Sequence, residues 1–181
     1  MRTSEIRRID PLQMLDVFAD VTSGEFDSVR GLCFEMHFDD GEVIVRENTT
    51  TADMFVLTDG SVRVEKVDEH GHKRQLATLH PETVFGEISM ILETPRTATV
   101  RADGPAQVIR VDGERFRELR DNGHVAALKV AYNILEMLAE RQSETNEHLL
   151  ELADRLEAKN GEKLQDDVSA LREKLMDKWS F

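Results

Sequence analysis

Phe85-Gly86-Glu87-Ile88-Ser89-Met90-Ile91-Leu92-Glu93-Thr94-Pro95-Arg96-Thr97-Ala98-Thr99-Val100 is the stretch on which the reading of this chain turns. A Gly-Glu pair opens a short apolar turn, and nine positions after the Glu comes an Arg, followed by Thr-Ala and a strand-like Thr-Val. An ionised Glu87 can only accept hydrogen bonds, which suits a sugar hydroxyl. Arg96 offers a planar fork of donors suited to phosphate. Gly86 allows close backbone approach, and the turn Ile88–Leu92 can aim amide donors at the same anion. Together they fit a small anion that also carries hydroxyls, such as a ribose cyclic phosphate.

The flanks say what holds this stretch. From Cys33 to Val111 the chain runs in short alternating segments: 43–45, 54–57, 62–67, 76–79, 97–100 and 108–111. Asp40-Gly41, Asp59-Gly60, His70-Gly71 and Asp103-Gly104-Pro105 separate them as turns. Strands at that spacing predict an antiparallel sandwich or barrel. Before them, Leu12, Leu15, Phe18, Phe26, Val29 and Leu32 recur at helical spacing, and Thr22-Ser23-Gly24-Glu25 can cap the second short helix. After them, Phe116 and Leu119 end a short helix near Asn122-Gly123. Val125, Leu128, Leu135, Leu138, Leu149, Leu152 and Leu156 then predict a long amphipathic helix. Asn160-Gly161 is a helix break, and Leu164, Val168, Leu171 and Leu175 form a second apolar seam beyond it. The expected division is a binding domain with N-terminal helices over 1–123, a dimerisation helix over 124–159 and a helical arm over 160–181.

The central stretch resembles the phosphate-binding cassette of the cyclic nucleotide-binding domain family. Phe85, Gly86, Glu87, Ile88, Ser89, Arg96, Thr97 and Ala98 fill its pattern. Residues 10 to about 146 share the wider resemblance, including Phe18-Ala19-Asp20-Val21, Gly60-Ser61-Val62 and Arg115–Leu119. Glu82-Thr83 departs from it, standing where Gly-Asp is common. The resemblance implies an α+β fold, with a jelly-roll β-barrel followed by a long dimerisation helix. It implies that Glu87 takes the ribose 2′-hydroxyl and Arg96 the cyclic phosphate, which is bound without being cleaved, so no enzyme is expected. Thr97 can face the phosphate and also reach a syn guanine, which keeps cGMP beside cAMP as the ligand. Val64, Leu76 and Ile88 match positions that pack on base and sugar, or are plain barrel core. Similarity to catabolite activator proteins places Thr145 and Asn146 on the base, with Arg141 and Gln142 as rival registers and a solvated helix face as the alternative.

Composition bounds the partners. A net charge of −13 argues against a nucleic-acid surface, which needs a basic stripe. Past residue 146 nothing resembles a helix-turn-helix; residues 142–181 carry 10 acidic and 6 basic side chains. A transcription regulator is therefore the weakest reading. The single Cys33 fits a reducing compartment, no apolar run reaches the length of a membrane span, and a cytoplasmic location is expected. His70-Gly71-His72 offers two metal ligands without a third, so no metal is expected. Cys33 reads as a core thiol; Trp179 and Phe181 can pack on the second seam or anchor elsewhere. The reading is a cyclic nucleotide sensor that forms a homodimer and signals to a protein partner through its C-terminal helices. The rival is a scaffold on the same fold that signals without ligand.

Overall fold

The structure, a computed structural model, describes residues 3–5 and 15–160, together with Ser169 and Glu173. The rest of the arm expected beyond Asn160, including Trp179 and Phe181, lies outside the described residues, as does Leu12. Among the described residues nine strands form: β1 Thr3–Glu5, β2 Cys33–Phe38, β3 Val43–Val45, β4 Met54–Asp59, β5 Val62–Val67, β6 Lys73–Leu79, β7 Val84–Phe85, β8 Thr99–Ala102 and β9 Ala106–Val111. The helices are a 3-10 turn at Asp16–Phe18, then α1 Ser23–Arg30, α2 Glu87–Leu92, α3 Gly113–Asp121 and α4 Val125–Asn160.

The strands pair antiparallel in two sheets, ordered β1-β2-β9-β4-β7 and β3-β8-β5-β6. The expected jelly roll is thus an open sandwich and not a closed barrel. Closure requires every strand to pair on both sides, and β3, β6, β1 and β7 each pair on one side. Register shifts within the β3–β8, β4–β9 and β5–β6 pairs bend the sheets. Alternation then puts one face of each sheet inward. Phe38, Phe55, Leu57, Val62, Val100, Ala102 and Val108 are buried in one cluster, with Ile44, Val64 and Leu79 packed against it. Gly60 closes the β4–β5 turn at φ 81°, where a Cβ would lie 2.2 Å from the Pro105 carbonyl oxygen. β1 had no signal in the sequence: Thr3–Glu5 is polar and gains its partner, β2, from the other side of the N-terminal helices.

A second packing centre anchors the helices. Thr22 and Glu25 form the capping box expected of α1, with Glu25 N–H donating to Thr22 Oγ1 and Thr22 N–H to Glu25 Oε2. Phe18 and Phe26 meet edge to face at 5.1 Å. The chain divides into two compact units, residues 1–134 and 135–181. The first ten residues of α4 belong to the first unit, where Ala126, Ala127, Val130 and Ile134 are buried. Asn133 Nδ2 donates to the carbonyls of Val17 and Ala19, and Lys129 Nζ pairs with Glu25. That pairing, with the Thr22 bonds, lowers the Glu25 carboxyl to about 2. In the second unit, the rest of α4 buries Asn146 and Ala153 and leaves Leu150 and Leu152 exposed.

Candidate functional site

The cassette begins where β7 ends. Phe85 is held by stacking on Phe55, at 5.3 Å and 13° between planes. Before it, Glu82 takes a left-handed φ of 73° and donates its N–H to Leu57 O. The departure from Gly-Asp therefore still gives a turn. Gly86 follows at φ 80° as the N-cap of α2. A side chain there would be strained twice over: the backbone is left-handed, and a Cβ would lie 2.7 Å from Arg96 Nη1 and 3.0 Å from Asp53 O. Six residues of helix, Glu87–Leu92, then carry Glu87, Ser89 and Met90 into the interior. The helix ends at Glu93 in a left-handed conformation, φ 56°.

Arg96 returns the chain to the start of the cassette. It is 2 % exposed. Its Nη1 donates to Gly86 O at 2.8 Å, its Nε to Thr51 Oγ1 at 3.1 Å and its Nη2 to Asp53 O. Its main chain is clamped too: Asn48 N–H donates to Arg96 O and Arg96 N–H to Thr49 O, both at 2.9 Å. Burial lowers the Arg96 pKa, and the nearby charges of Asp53 and Glu87 offset part of that. A guanidinium starts so high that it remains charged at neutral pH. Two of its five N–H groups are not used in these three bonds. A buried cation beside a buried carboxylate, at the N-terminal end of a short helix, can hold a cyclic phosphate on Arg96 and a hydroxyl on Glu87.

The expected site residues divide into three groups. Phe85, Glu87, Ser89 and Arg96 are buried and Gly86 is half-buried, with Arg96 brought back against Gly86 at the α2 N-terminus. Ile88 and Ala98 are half-buried, and Thr97 is exposed. Val64 is half-buried against the core cluster, whereas Leu76 on β6 is 59 % exposed. Thr145 and Asn146 lie in the second compact unit. Thr145 Oγ1 donates to Arg141 O at 2.7 Å, and Asn146 is buried with its Nδ2 lacking a hydrogen-bond partner among the described residues.

Sequence reasoning missed Thr51 and Asp53. Asp53 is the hub of the site. Its carbonyl accepts from Arg96, its carboxylate accepts from Gly113 N–H at 3.0 Å, and it pairs with Arg110 at 3.3 Å. It thus ties the cassette to the first residue of α3. The available signal was the polar run Thr49–Asp53 between two apolar strands, whose donors and acceptors need partners.

The rejected candidates have plain structural roles. The carboxylate of Asp68 accepts from the backbone of His70 and His72 and from Arg74 Nε, which shapes the β5–β6 hairpin turn. Those bonds, the His72 backbone N–H foremost, hold the Asp68 carboxyl below its usual range. Burial pushes the Cys33 thiol up to about 12, which makes it a poor nucleophile. Among the described residues no cluster of three His, Cys, Asp or Glu could hold a metal ion, and no helix is long and apolar enough to cross a membrane.

The fold is one that known proteins share. The family model for the cyclic nucleotide-binding domain matches residues 35–122, from β2 through the cassette to the end of α3. This segment is a cyclic nucleotide-binding domain. The chain is 29% identical over 111 residues to the cAMP-dependent protein kinase regulatory subunit of Dictyostelium discoideum, covering 60% of this chain and 34% of that protein. It therefore spans about a third of that relative's length. Among solved structures, a cyclic nucleotide-binding domain from Methylobacillus flagellatus superposes with a TM-score of 0.69 at 19% identity, over 82% of this chain and 88% of that one. The catabolite activator protein of Thermus thermophilus gives 0.63 at 24%, over 76% and 62%. At those identities the two structures speak for the fold, and they share the sandwich described above.

Proposed function

We propose that the chain is a non-catalytic cyclic nucleotide sensor that binds cAMP, with cGMP as the second candidate, and signals to a protein partner through its C-terminal helices. One observation carries this reading. Glu87 and Arg96 are buried together across a glycine that admits no side chain. An acceptor for a neutral hydroxyl and a cation for a monoanionic phosphate diester sit at opposite ends of one short turn. The exposed Thr97 hydroxyl is what keeps cGMP in view. Binding shifts a population, because the ligand favours whichever arrangement of α3 and α4 fits the filled cassette. Asp53, which touches both Arg96 and Gly113, is the natural link.

The working unit is a cytoplasmic homodimer in this reading. Val125, Leu128, Tyr132 and Leu135 are 47–60 % exposed and recur at 3-4-3 spacing along α4. Such a stripe suits a partner helix. Thr145 and Asn146 would contact the base, one from each subunit, with Asn146 reaching across the dimer.

The scaffold reading keeps one observation in its favour: Arg96 already donates three bonds to the protein's own oxygens. Titration calorimetry on nucleotide-stripped protein separates the two. The sensor binds cAMP or cGMP stoichiometrically and 5′-AMP far more weakly, since its dianionic phosphate lacks the cyclic ester. No heat with either cyclic nucleotide at high micromolar concentration would establish the scaffold.

A further inference from the structure

The outer face of the four-stranded sheet carries a cleft that shares no residue with the Phe85–Ala98 cassette. It has a volume of about 290 Å³ and is lined on one side by Arg46, Glu47 and Asn48 and on the other by Lys66, Val67 and Lys73, with Thr99, Arg101 and Glu65 between. Val62, Val100 and Ala102 face the core, so by strand alternation Thr99 and Arg101 face away from it. The cleft and the cassette are thus on opposite sides of β8.

Its charges are unevenly matched. Glu65 is within 3.6 Å of Arg101, and Glu47 Oε2 accepts from Val67 N–H at 3.3 Å. Glu65 is therefore ion-paired, whereas Glu47 is held by an amide and keeps its charge. Arg46, Lys66 and Lys73 have no ion pair among the described residues, and all three are exposed. Three cations without an ion pair against one such carboxylate, Glu47, leave the concavity positive in a chain of net charge −13. The strand order β3-β8-β5-β6 sets Arg46, just past β3, at one edge and Lys73, on β6, at the other. Three strand spacings of about 4.8 Å separate those edges, roughly 14 Å. Long side chains reaching inward from both would meet a ligand carrying two anionic groups, not a single small ion.

We propose that this cleft is a second binding site, for a small phosphorylated molecule bearing at least two phosphate groups. Arg46 supplies the planar fork that matches a phosphate, and Lys66 and Lys73 supply point charges for the other. The floor is built rather than incidental. Glu47 N–H donates to Thr99 Oγ1 at 3.1 Å, and Asn48, at φ 63°, donates to Arg96 O. The site is therefore seated on the back of the segment that carries Arg96. It does not depend on what the cassette binds.

The test is amide NMR of the full chain titrated with inorganic pyrophosphate, with inorganic phosphate as the single-anion comparison. Pyrophosphate should shift the amides of residues 46–48, 65–67 and 73, and phosphate should bind more weakly. The exposed pair Lys66→Gln and Lys73→Gln should weaken pyrophosphate by about tenfold or more while leaving all other amide positions, and cAMP binding, unchanged. Three outcomes would overturn the proposal: no shifts at millimolar pyrophosphate, shifts confined to residues 86–97, or equal affinity in the double variant. Failure of cAMP to bind would leave these outcomes unaltered, so the two readings fail separately.

Discussion

The cassette and Leu76 on β6 are the two places where, in the proposed reading, a cyclic nucleotide is held, and they are prepared very differently. In the cassette, Glu87, Ser89 and Arg96 are buried and Arg96 is fixed by three side-chain and two main-chain bonds. On β6 every residue before Leu79 is exposed, Leu76 by 59 %. Polar recognition is thus assembled by the protein itself. An unpaired buried charge would cost several kcal/mol, so the protein supplies partners before any ligand does. The apolar wall can stay open, because an exposed leucine costs far less than an unpaired buried guanidinium. The difference predicts that cassette substitutions act on stability and affinity together, whereas substitution of Leu76 acts on affinity alone.

Arg96→Ala should show the largest effect. It strands the acceptors at Gly86, Asp53 and Thr51 and should destabilise the fold by about 3 kcal/mol. Affinity for cAMP should fall roughly ten- to a hundredfold. Thermal unfolding and calorimetry on the same sample check both; unchanged stability would mean that the three bonds do not hold Arg96 in solution. Gly86→Ala comes next. The left-handed backbone alone costs about 1–2 kcal/mol, and the new Cβ must displace Arg96, so affinity should fall with stability. Leu76→Ala sharpens the contrast. Its stability cost should be under about 0.5 kcal/mol, with cAMP several-fold weaker. A large drop in melting temperature would place Leu76 in the core instead.

The smallest effect lies away from both regions. The Glu25 carboxyl is held at about 2 against an ordinary 4.5 by Lys129 and Thr22. A depressed acid pKa contributes stability above the unfolded value that is lost as pH falls through the folded one. The melting temperature of the wild type should therefore decline between about pH 4.5 and 2. Lys129→Met should show a shallower decline over that window.

How much of this was legible in the sequence follows from the range of the interactions. Local devices could be read directly: the Thr22–Glu25 capping box, the Gly60 turn, and the Gly86-to-Arg96 cassette with its fixed spacing. Strand existence was legible from alternation, because each strand has one buried face. Sheet closure was not, since it depends on whether edges such as β3 and β6 find second partners across the sandwich. The polar β1 strand was invisible for the same reason. Thr51 and Asp53 escaped because their roles are set by an arginine more than 40 positions away. Leu76 matched a base-contact position in the sequence, but only the structure separates it from Val64, which packs on the core.

The central claim is that Glu87 takes a ribose hydroxyl while Arg96 takes the cyclic phosphate. The most direct measurement is a calorimetric comparison of cAMP and 2′-deoxy-cAMP on wild type and Glu87→Gln. Loss of a hydrogen bond to a charged group is worth about 1.5–3 kcal/mol, so wild type should bind 2′-deoxy-cAMP roughly ten- to a hundredfold more weakly than cAMP. In Glu87→Gln that gap should largely close. Equal affinity of wild type for the two nucleotides, or no binding of cAMP at all, would contradict the account.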